Sequence, residues 1–252
     1  MQHWFSYADE AMEDALHDMP VLARFAGLDA GVDTIPDATT LLHFRHLLER
    51  HHLSEVLFAE VSTHLAEKGL LLKRGTIVDA TLIQAPPSTK NRDGKRDPEM
   101  SQTEKANQWY FGMKAHIGVD ADSGLVHTVI GTTAKVPDNK MLDELLHGDE
   151  EEVLGDKAYT SNERNLSASD PKTGPLWMFP YKKPKGEELP EWKRKINRRL
   201  SALRAIVEHP FRVMKRPFGY VKVRYRGLAK NTAHQMRLFM LSNLYLARRS
   251  LL

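Results

Sequence analysis

The apolar positions of residues 1–72 recur at intervals of three and four, which predicts helices throughout this part of the chain. In "SYADEAMEDALHDMP" the periodic pattern ends before Pro20. "DATTLLHFRHLLERHH" predicts a second helix, which Asp37 can cap. "SEVLFAEVSTHLAEKG" predicts a third helix, with Ser54 as its cap and Gly69 as its end.

From about Leu71 the chain changes to segments rich in Ile, Val, Leu and Thr, which are typical of strands. "LLLKRGTIVDATLIQ" predicts one strand, and "WYFGMKAHIGVDADSGLVHTVIGTTA" predicts two more, joined by a tight turn at "ADSG". Between them, residues 86–108 are polar and basic, and this composition predicts a long loop. Trp109 and Tyr110 follow the loop. They are candidates for stacking on a flipped base, but a core position at the start of a strand is the favoured interpretation.

The rest of the chain alternates between predicted helices and strands. A helix capped by Asp138 precedes a short strand in "EEVLGDKAYTS" and another in "PLWMFPY". A basic helix is predicted from about Leu189 to Val207, and a last helix over Thr232–Leu252. This order predicts an α/β domain with a mixed sheet, preceded by a small helical region.

Composition narrows the class of protein. The chain has 252 residues, 41% of them hydrophobic, and no Cys, so a sizeable core is expected, whereas disulfides and thiolate metal sites are excluded. No apolar run reaches the roughly 18 residues of a membrane span, and no signal peptide is evident. We therefore expect a soluble cytoplasmic protein with no membrane partner.

The net charge of +3 conceals a strong asymmetry. Residues 1–72 contain twelve acidic and four basic residues, whereas residues 193–252 contain sixteen basic residues and one acid, Glu208. The positive electrostatic field of residues 193–252 favours a polyanionic partner, most simply nucleic acid. The alternative is a solvated basic face or a basic tail without such a partner. Aromatic residues interleaved with the bases favour a folded surface over a tail.

Three carboxylates have unusual surroundings. Asp79 lies inside the apolar strand "TIVDATLI", Asp156 follows a Gly at the end of a short strand, and Glu208 stands alone among the bases. Mg²⁺ prefers carboxylate oxygens as ligands, and two Mg²⁺ ions can bind the attacking and leaving oxygens of a phosphoryl transfer. A metal site shared by the three carboxylates is therefore one interpretation. The alternatives are a buried capping residue, a turn residue, and a helical ion pair between Glu208 and Arg204.

The chain resembles bacterial insertion-sequence transposases of the DDE type, in the IS-five group. The matching segments are "TIVDATLI", "RDPEMSQTEKANQWYFGMKAHIGVD", "LDELLHGDEEEVLGDKAY" and "RLSALRAIVEHPFRVMKRPFGY", in the order that the family has them. The resemblance implies a ribonuclease-H-like catalytic domain over residues 73–252. It also implies that the helical region 1–72 serves DNA binding or dimerisation. Family members carry more residues before the first helix, so we expect this region to be shortened.

The resemblance also implies the site. Asp79, Asp156 and Glu208 would be the catalytic residues and would bind Mg²⁺, with Mn²⁺ as a substitute. The family's signature around the third acid is Tyr, two residues, Arg, three residues, Glu, six residues, Lys. Ser201 stands at the Tyr position, which is a departure from the signature. The residues expected to contact DNA are Arg204, Lys215, Arg212, Arg216, Lys157 and Lys114.

The expected function is Mg²⁺-dependent strand cleavage and strand transfer at insertion-sequence ends. The partners would be double-stranded DNA and a second copy of the chain, because pairing two element ends calls for at least a dimer. The expected location is the nucleoid in the cytoplasm. Two alternatives remain: a metal-dependent nuclease with the same core, and a truncated, inactive DNA-binding remnant of a transposase.

Overall fold

Helices form the first part of the chain, as predicted. The structure is a computed structural model that describes residues 1–29, 31–105, 107–170, 172 and 174–251. The first helices are α1 (Gln2–Phe5), α2 (Asp9–Asp18), α3 (Pro20–Phe25), α4 (Ala38–Arg50) and α5 (Leu53–Glu67). Asp37 caps α4, because its carboxylate accepts a hydrogen bond from the backbone amide of Thr40 at 2.7 Å.

The predicted cap of α5 is wrong. The helix begins at Leu53, directly after His52, which has a left-handed φ of 52°. Ser54 is buried inside the first turn, and its hydroxyl accepts a hydrogen bond from the guanidinium of Arg237 at 2.6 Å. The serine therefore joins α5 to the C-terminal helix and does not cap its own helix.

Six strands form one mixed sheet in the part of the chain that the structure describes. They are β1 (Gly75–Gln84), β2 (Ser101–Lys105), β3 (Gln108–Asp120), β4 (Val126–Thr133), β5 (Glu152–Leu154) and β6 (Leu176–Met178). The order across the sheet is β2, β3, β1, β5, β6, and β4 also pairs with β3. β3 is antiparallel to β1, β2 and β4, whereas β5 is parallel to β1 and β6. The predicted mixed sheet is confirmed.

The predicted loop over residues 86–108 is wrong at its end. Ser101–Lys105 is the strand β2, which pairs with Gln108–Gly112 at the start of β3. Three of the five residues of β2 are exposed, because β2 lies at an edge of the sheet. An exposed edge strand needs no apolar residues, so its polar composition gave no strand signal.

The later helices flank the sheet. They are α6 (Leu142–Leu145), α7 (Glu191–Arg204), α8 (Glu208–Lys215) and α9 (Leu228–Leu251), with 3₁₀ turns at Asp138–Met141 and Ala205–Val207. Alternate residues of β1 face two cores. Ile77 and Ile83 pack in the core with residues of α8 and α9, whereas Val78 packs with Leu142 and Phe179.

Asp138 does not cap a helix through its side chain, contrary to the prediction. It begins the 3₁₀ turn, and its carboxylate accepts a hydrogen bond from Lys114 at 2.8 Å. The final helix begins at Leu228, four residues before the predicted start at Thr232, and Leu252 lies outside the described residues.

The helical region packs on the sheet through α9. α5 contacts α9, and a small core of Leu65, Leu71, Leu125 and Ala247 joins the two parts. The connection between α5 and β1 is also fixed, because Asp120 accepts backbone hydrogen bonds from residues 72 and 73 at 2.8 and 2.6 Å. None of the described helices is both long enough and apolar enough to cross a membrane.

Candidate active site

Asp79 lies in the middle of the central strand β1. It shares a strand face with the buried Ile77 and Ile83, so it points toward α7 and α8 and not toward α6. Its side chain is 18% exposed, and its Oδ1 accepts a hydrogen bond from the amide of Ala80 at 2.8 Å. A carboxylate in such a position is costly unless another group compensates for its charge.

The pairing of β1 with β5 brings Asp156 to the same level of the sheet. The parallel register aligns Gly75 with Glu152 and Ile77 with Leu154, an offset of 77 residues. Asp79 and Asp156 have the same offset, so Asp156 follows β5 at the point where Asp79 stands on β1. The chain leaves the sheet at Gly155, where an added Cβ would lie about 3 Å from Val78, Tyr159 and Phe179. Asp156 is held in the following turn by the amide of Ala158, at 2.6 Å from its Oδ1.

Glu208 reaches this region because the helix before it is interrupted. α7 ends at Arg204, the chain forms a 3₁₀ turn, and Glu208 begins α8. Pro210 has no backbone N–H to donate to the carbonyl of Ile206, so a continuous helix would lack one hydrogen bond at this break. Glu208 is exposed, and no described residue forms a hydrogen bond or salt bridge with its carboxylate.

Arg204 pairs with Asp79 and not with Glu208. Its Nη2 lies 3.6 Å from Asp79 Oδ2, and among the described residues no salt bridge joins it to Glu208. The helical ion pair considered from the sequence is therefore wrong. Arg204 instead joins the end of α7 to the central strand.

The three carboxyl groups share one electrostatic environment. Burial raises the pKa of Asp79, and the negative charges of Asp156 and Glu208 raise it further. The Ala80 amide and the Arg204 guanidinium oppose this shift without cancelling it. Burial also raises the pKa of Tyr159, with contributions from Asp138, Asp79 and Asp156. A carboxyl group whose pKa is raised by neighbouring carboxylates lies in a site at which a cation is stabilising.

No group of three or more His, Asp or Glu side chains in the described residues is arranged to hold a metal ion by itself. Mg²⁺ does not require such a cage, since it keeps several waters and binds through one or two carboxylates together with substrate phosphates. Asp79 on β1 and Asp156 in the turn after β5 supply hard oxygen donors of this type. The donor set therefore fits a Mg²⁺ site that substrate completes.

Several basic side chains lie on the segments that carry Asp156 and Glu208. Lys215 lies at the end of α8, and its Nζ donates a hydrogen bond to Thr81 Oγ1 at 2.5 Å. Arg212, Arg216 and Lys157 are exposed. A cavity of about 320 Å³ beside Asp156 is lined by Lys157, Pro180, Asn197, Arg198, Ser201 and Arg204. Ser201, at the signature's tyrosine position, leaves space in this cavity that a larger side chain would fill.

Lys114 does not lie with these residues. Its Nζ donates to the carbonyl of Val136 at 2.7 Å and to Asp138 at 2.8 Å, and only 14% of its side chain is exposed. It pairs across from Leu82, on the face of the sheet opposite Asp79. An ammonium group with two internal partners is not available to a DNA phosphate.

A family model described as "Transposase DDE domain" matches residues 71–244. The chain belongs to the DDE transposases. A second model, described as "Transposase domain (DUF772)", matches residues 1–47 of the helical region. No solved structure matches the chain. The mixed sheet flanked by helices, with helices before it, is the predicted ribonuclease-H-like fold class of this transposase.

Two residues near the carboxylates were not identified from the sequence. Thr81 stands two residues after Asp79. Because side chains alternate along a strand, the sequence alone predicts that both lie on one face of β1. Lys105 lies within residues 86–108, whose composition predicts a loop, and a loop assigns a residue neither a strand face nor a pairing partner. Trp109, for which a core position was favoured, is 65% exposed at the start of β3, so that interpretation is wrong.

Proposed function

We propose that this transposase catalyses Mg²⁺-dependent DNA strand cleavage and strand transfer at the ends of an insertion sequence of the IS-five group. Asp79, Asp156 and Glu208 are the proposed catalytic, metal-binding residues. The observation that carries the proposal is that Asp79 on β1 and Asp156, just after the parallel neighbour β5, share one register offset, with Glu208 acting electrostatically on Asp79. Mn²⁺ has similar ligand preferences and is the expected substitute.

In the proposed reaction, water attacks a phosphorus atom at the element end, and the bond from phosphorus to the 3′ oxygen breaks. This step leaves a 3′-hydroxyl and a 5′-phosphate. The 3′-hydroxyl then attacks a phosphodiester of target DNA, which forms one P–O bond and breaks another. Mg²⁺ held by the carboxylates would stabilise the attacking and leaving oxygens.

The chain's own cations have separate roles in this proposal. Arg204 holds Asp79 in place through their 3.6 Å ion pair before DNA arrives. Lys157, Arg212 and Arg216, which are exposed on the segments that carry Asp156 and Glu208, contact the DNA backbone. Lys114 is left out of the DNA contacts, because its ammonium group is held by Val136 and Asp138.

The helical region, residues 1–72, serves self-association in this proposal. Its twelve acidic and four basic residues repel DNA phosphates. It also exposes large apolar side chains, among them Phe25 at 79% and Phe44 at 59%. Joining two element ends requires two active sites, so a second copy of the chain is the occupant that the reaction itself calls for.

The test uses a plasmid that carries the element with its flanking DNA. Asp79→Asn, Asp156→Asn and Glu208→Gln should each reduce cleavage in Mg²⁺ by about 100-fold or more, because transition-state charge is no longer stabilised. Binding to DNA should persist, since phosphate contacts come from other residues. Glu144→Gln, an exposed acid on α6, is the matched control and should cleave normally.

The same assay separates the alternatives. A nuclease with this core would cut but would not join precut ends to target DNA. An inactive remnant would bind DNA with a steep salt dependence and show no cutting in Mg²⁺ or Mn²⁺. Normal cleavage by Asp156→Asn would overturn the assignment of the site.

A further inference from the structure

A second cleft opens beside Thr81, further along β1 than Asp79. Its volume is about 370 Å³. Two lysines, a threonine, a tyrosine and a glutamine contribute the polar part of its lining, namely Lys105, Lys215, Thr81, Tyr110 and Gln84. Leu82 and Val221 contribute the apolar part. The cleft continues from the carboxylates, because Asp79 and Thr81 are alternate residues on one face of β1.

The two lysines of this cleft have no carboxylate partner among the described residues. Lys215 donates to the Thr81 hydroxyl, and no described residue forms a salt bridge with Lys105. Burial lowers the pKa of Lys215, and the charge of Lys105 lowers it further, against the opposing effects of Glu208 and Asp79. Two like charges that face one cleft repel each other. An anion between them would remove that repulsion and gain a hydrogen bond from each ammonium group.

The backbone holds Lys105 at this position. It is the last residue of β2 and pairs with Gln108 of β3, in a ladder that runs back to Ser101. Ser101 is itself anchored, because its Oγ accepts a hydrogen bond from the amide of Lys135 at 2.8 Å. A lysine placed by a strand ladder loses less conformational entropy on binding than one on a free loop.

We propose that Lys105 and Lys215 together bind one DNA phosphate, within about one nucleotide of the bond that is cut. The β2–β3 hairpin then belongs to the substrate site, and Lys105 is a positioning residue for the reaction. The distance follows from the strand, since Thr81 lies about 6.7 Å along β1 from Asp79. This inference rests on the proposed function, because it takes DNA to be the substrate held at Asp79.

The experiment measures the affinity for a short DNA duplex at several salt concentrations, without divalent metal, so that no cutting occurs. Removing the cations that neutralise one phosphate should reduce the slope of log affinity against log salt by about 0.9. Lys105→Gln and Lys215→Gln should each show a reduction of this size, because the proposed site needs both ammonium groups to hold the phosphate in the cleft. The slope of the double variant should be only slightly smaller than that of either single variant, because both lysines bind the same phosphate.

Three controls make the result specific. Lys68→Gln removes the same charge from an exposed site after α5 and should leave the slope unchanged. Lys105→Arg keeps the cation and should restore the slope. The thermal midpoint of Lys105→Gln should match the wild type, because Lys105 is exposed and carries no salt bridge to a described residue.

An unchanged slope for Lys105→Gln would overturn the inference, even if the wild-type protein cleaves DNA normally. A double variant whose slope falls by about twice the single-variant amount would also overturn it, since the lysines would then bind separate phosphates. Reduced slopes in a protein that never cleaves would support the phosphate site and count only against the proposed catalysis.

Discussion

The charge of Asp79 serves the proposed metal site but lowers the stability of the folded, metal-free protein. The carboxyl lies in the central strand among apolar neighbours, and burial raises its pKa despite the nearby Arg204. When the folded pKa of an acid lies above its unfolded value, the folded state binds more protons between the two values. Stability therefore falls as pH rises through that window, and the ionised carboxylate destabilises the metal-free protein at neutral pH.

Asp79→Asn should for this reason raise the thermal midpoint of the metal-free protein while abolishing cleavage. An uncharged amide of nearly the same shape removes the buried charge, and each kcal/mol gained shifts the midpoint of a chain this size by about 2–4 °C. Calorimetry at pH 7 with a chelator measures the shift. Glu144→Gln, the exposed acid on α6, is again the control and should change little.

Adding Mg²⁺ should change the difference in thermal midpoint between Asp79→Asn and the wild type in favour of the wild type. A ligand that binds only the folded state stabilises it, so the metal should raise the midpoint of the wild type more than that of Asp79→Asn. A lower midpoint for Asp79→Asn without metal would show that the ion pair with Arg204 outweighs the burial of the charge.

Elements were predictable from the sequence where burial gives them a pattern. β1 is predictable from its apolar strand pattern, and α4 is predictable from its helical periodicity and its N-terminal cap. The common level of Asp79 and Asp156 was not predictable, because it depends on which strands pair and in which register. β2 was missed because an exposed edge strand carries no apolar pattern. The charge on Lys114 suggested DNA, but only the fold shows that Asp138 pairs with it.

α4 has no buried side chain, which is unusual for a helix of thirteen residues. Phe44 and Leu47 lie one turn apart and are 59% and 47% exposed. The double substitution Phe44→Glu with Leu47→Glu should leave the thermal midpoint nearly unchanged, because no core packing is removed. If residues 1–72 form the proposed interface, the double variant should be monomeric where the wild type self-associates, because two carboxylates would have to be desolvated in that interface. Light scattering over a concentration series measures the change.

Thr39→Glu, an exposed position on the same helix, adds negative charge without removing apolar surface and is the control. A wild-type protein that remains monomeric both free and on DNA would contradict the proposed role of residues 1–72. A self-associated double variant would place the interface elsewhere.

At the scale of the whole molecule, folding removes several histidines from water. Burial lowers the pKa of His116 and of His127 to about 4, and that of His3 to about 3. In the unfolded chain these groups titrate near 6.5. Between the folded and unfolded values the unfolded chain binds more protons, so stability rises with pH. The protein should therefore lose stability steadily as pH falls from about 6.5 toward 4.

His127 offers the sharpest test of this linkage. Its Nε2 lies 3.1 Å from Thr76 Oγ1, and its Nδ1 lies 2.9 Å from Thr128 Oγ1. The ring of His147 packs edge-on against it. The charged groups that also act on it are those of Glu150, Asp120 and Lys73. Lowering the pH from 7 to 5 should cost about 2 kcal/mol through this group alone. His127→Gln cannot titrate, so its free energy of unfolding in urea should fall by about 2 kcal/mol less than that of the wild type over the same range.

The absolute stability of His127→Gln is not the measure, because the substitution also alters packing against Gly118, whose position lies close to the imidazole ring. Only the difference between the two pH values reports the proton. His17→Gln, on the exposed face of α2, should retain the full wild-type dependence. If His127→Gln retained it too, the imidazole of His127 would have to titrate alike in the folded and unfolded chains. The acid sensitivity of the transposase would then come from the other buried histidines.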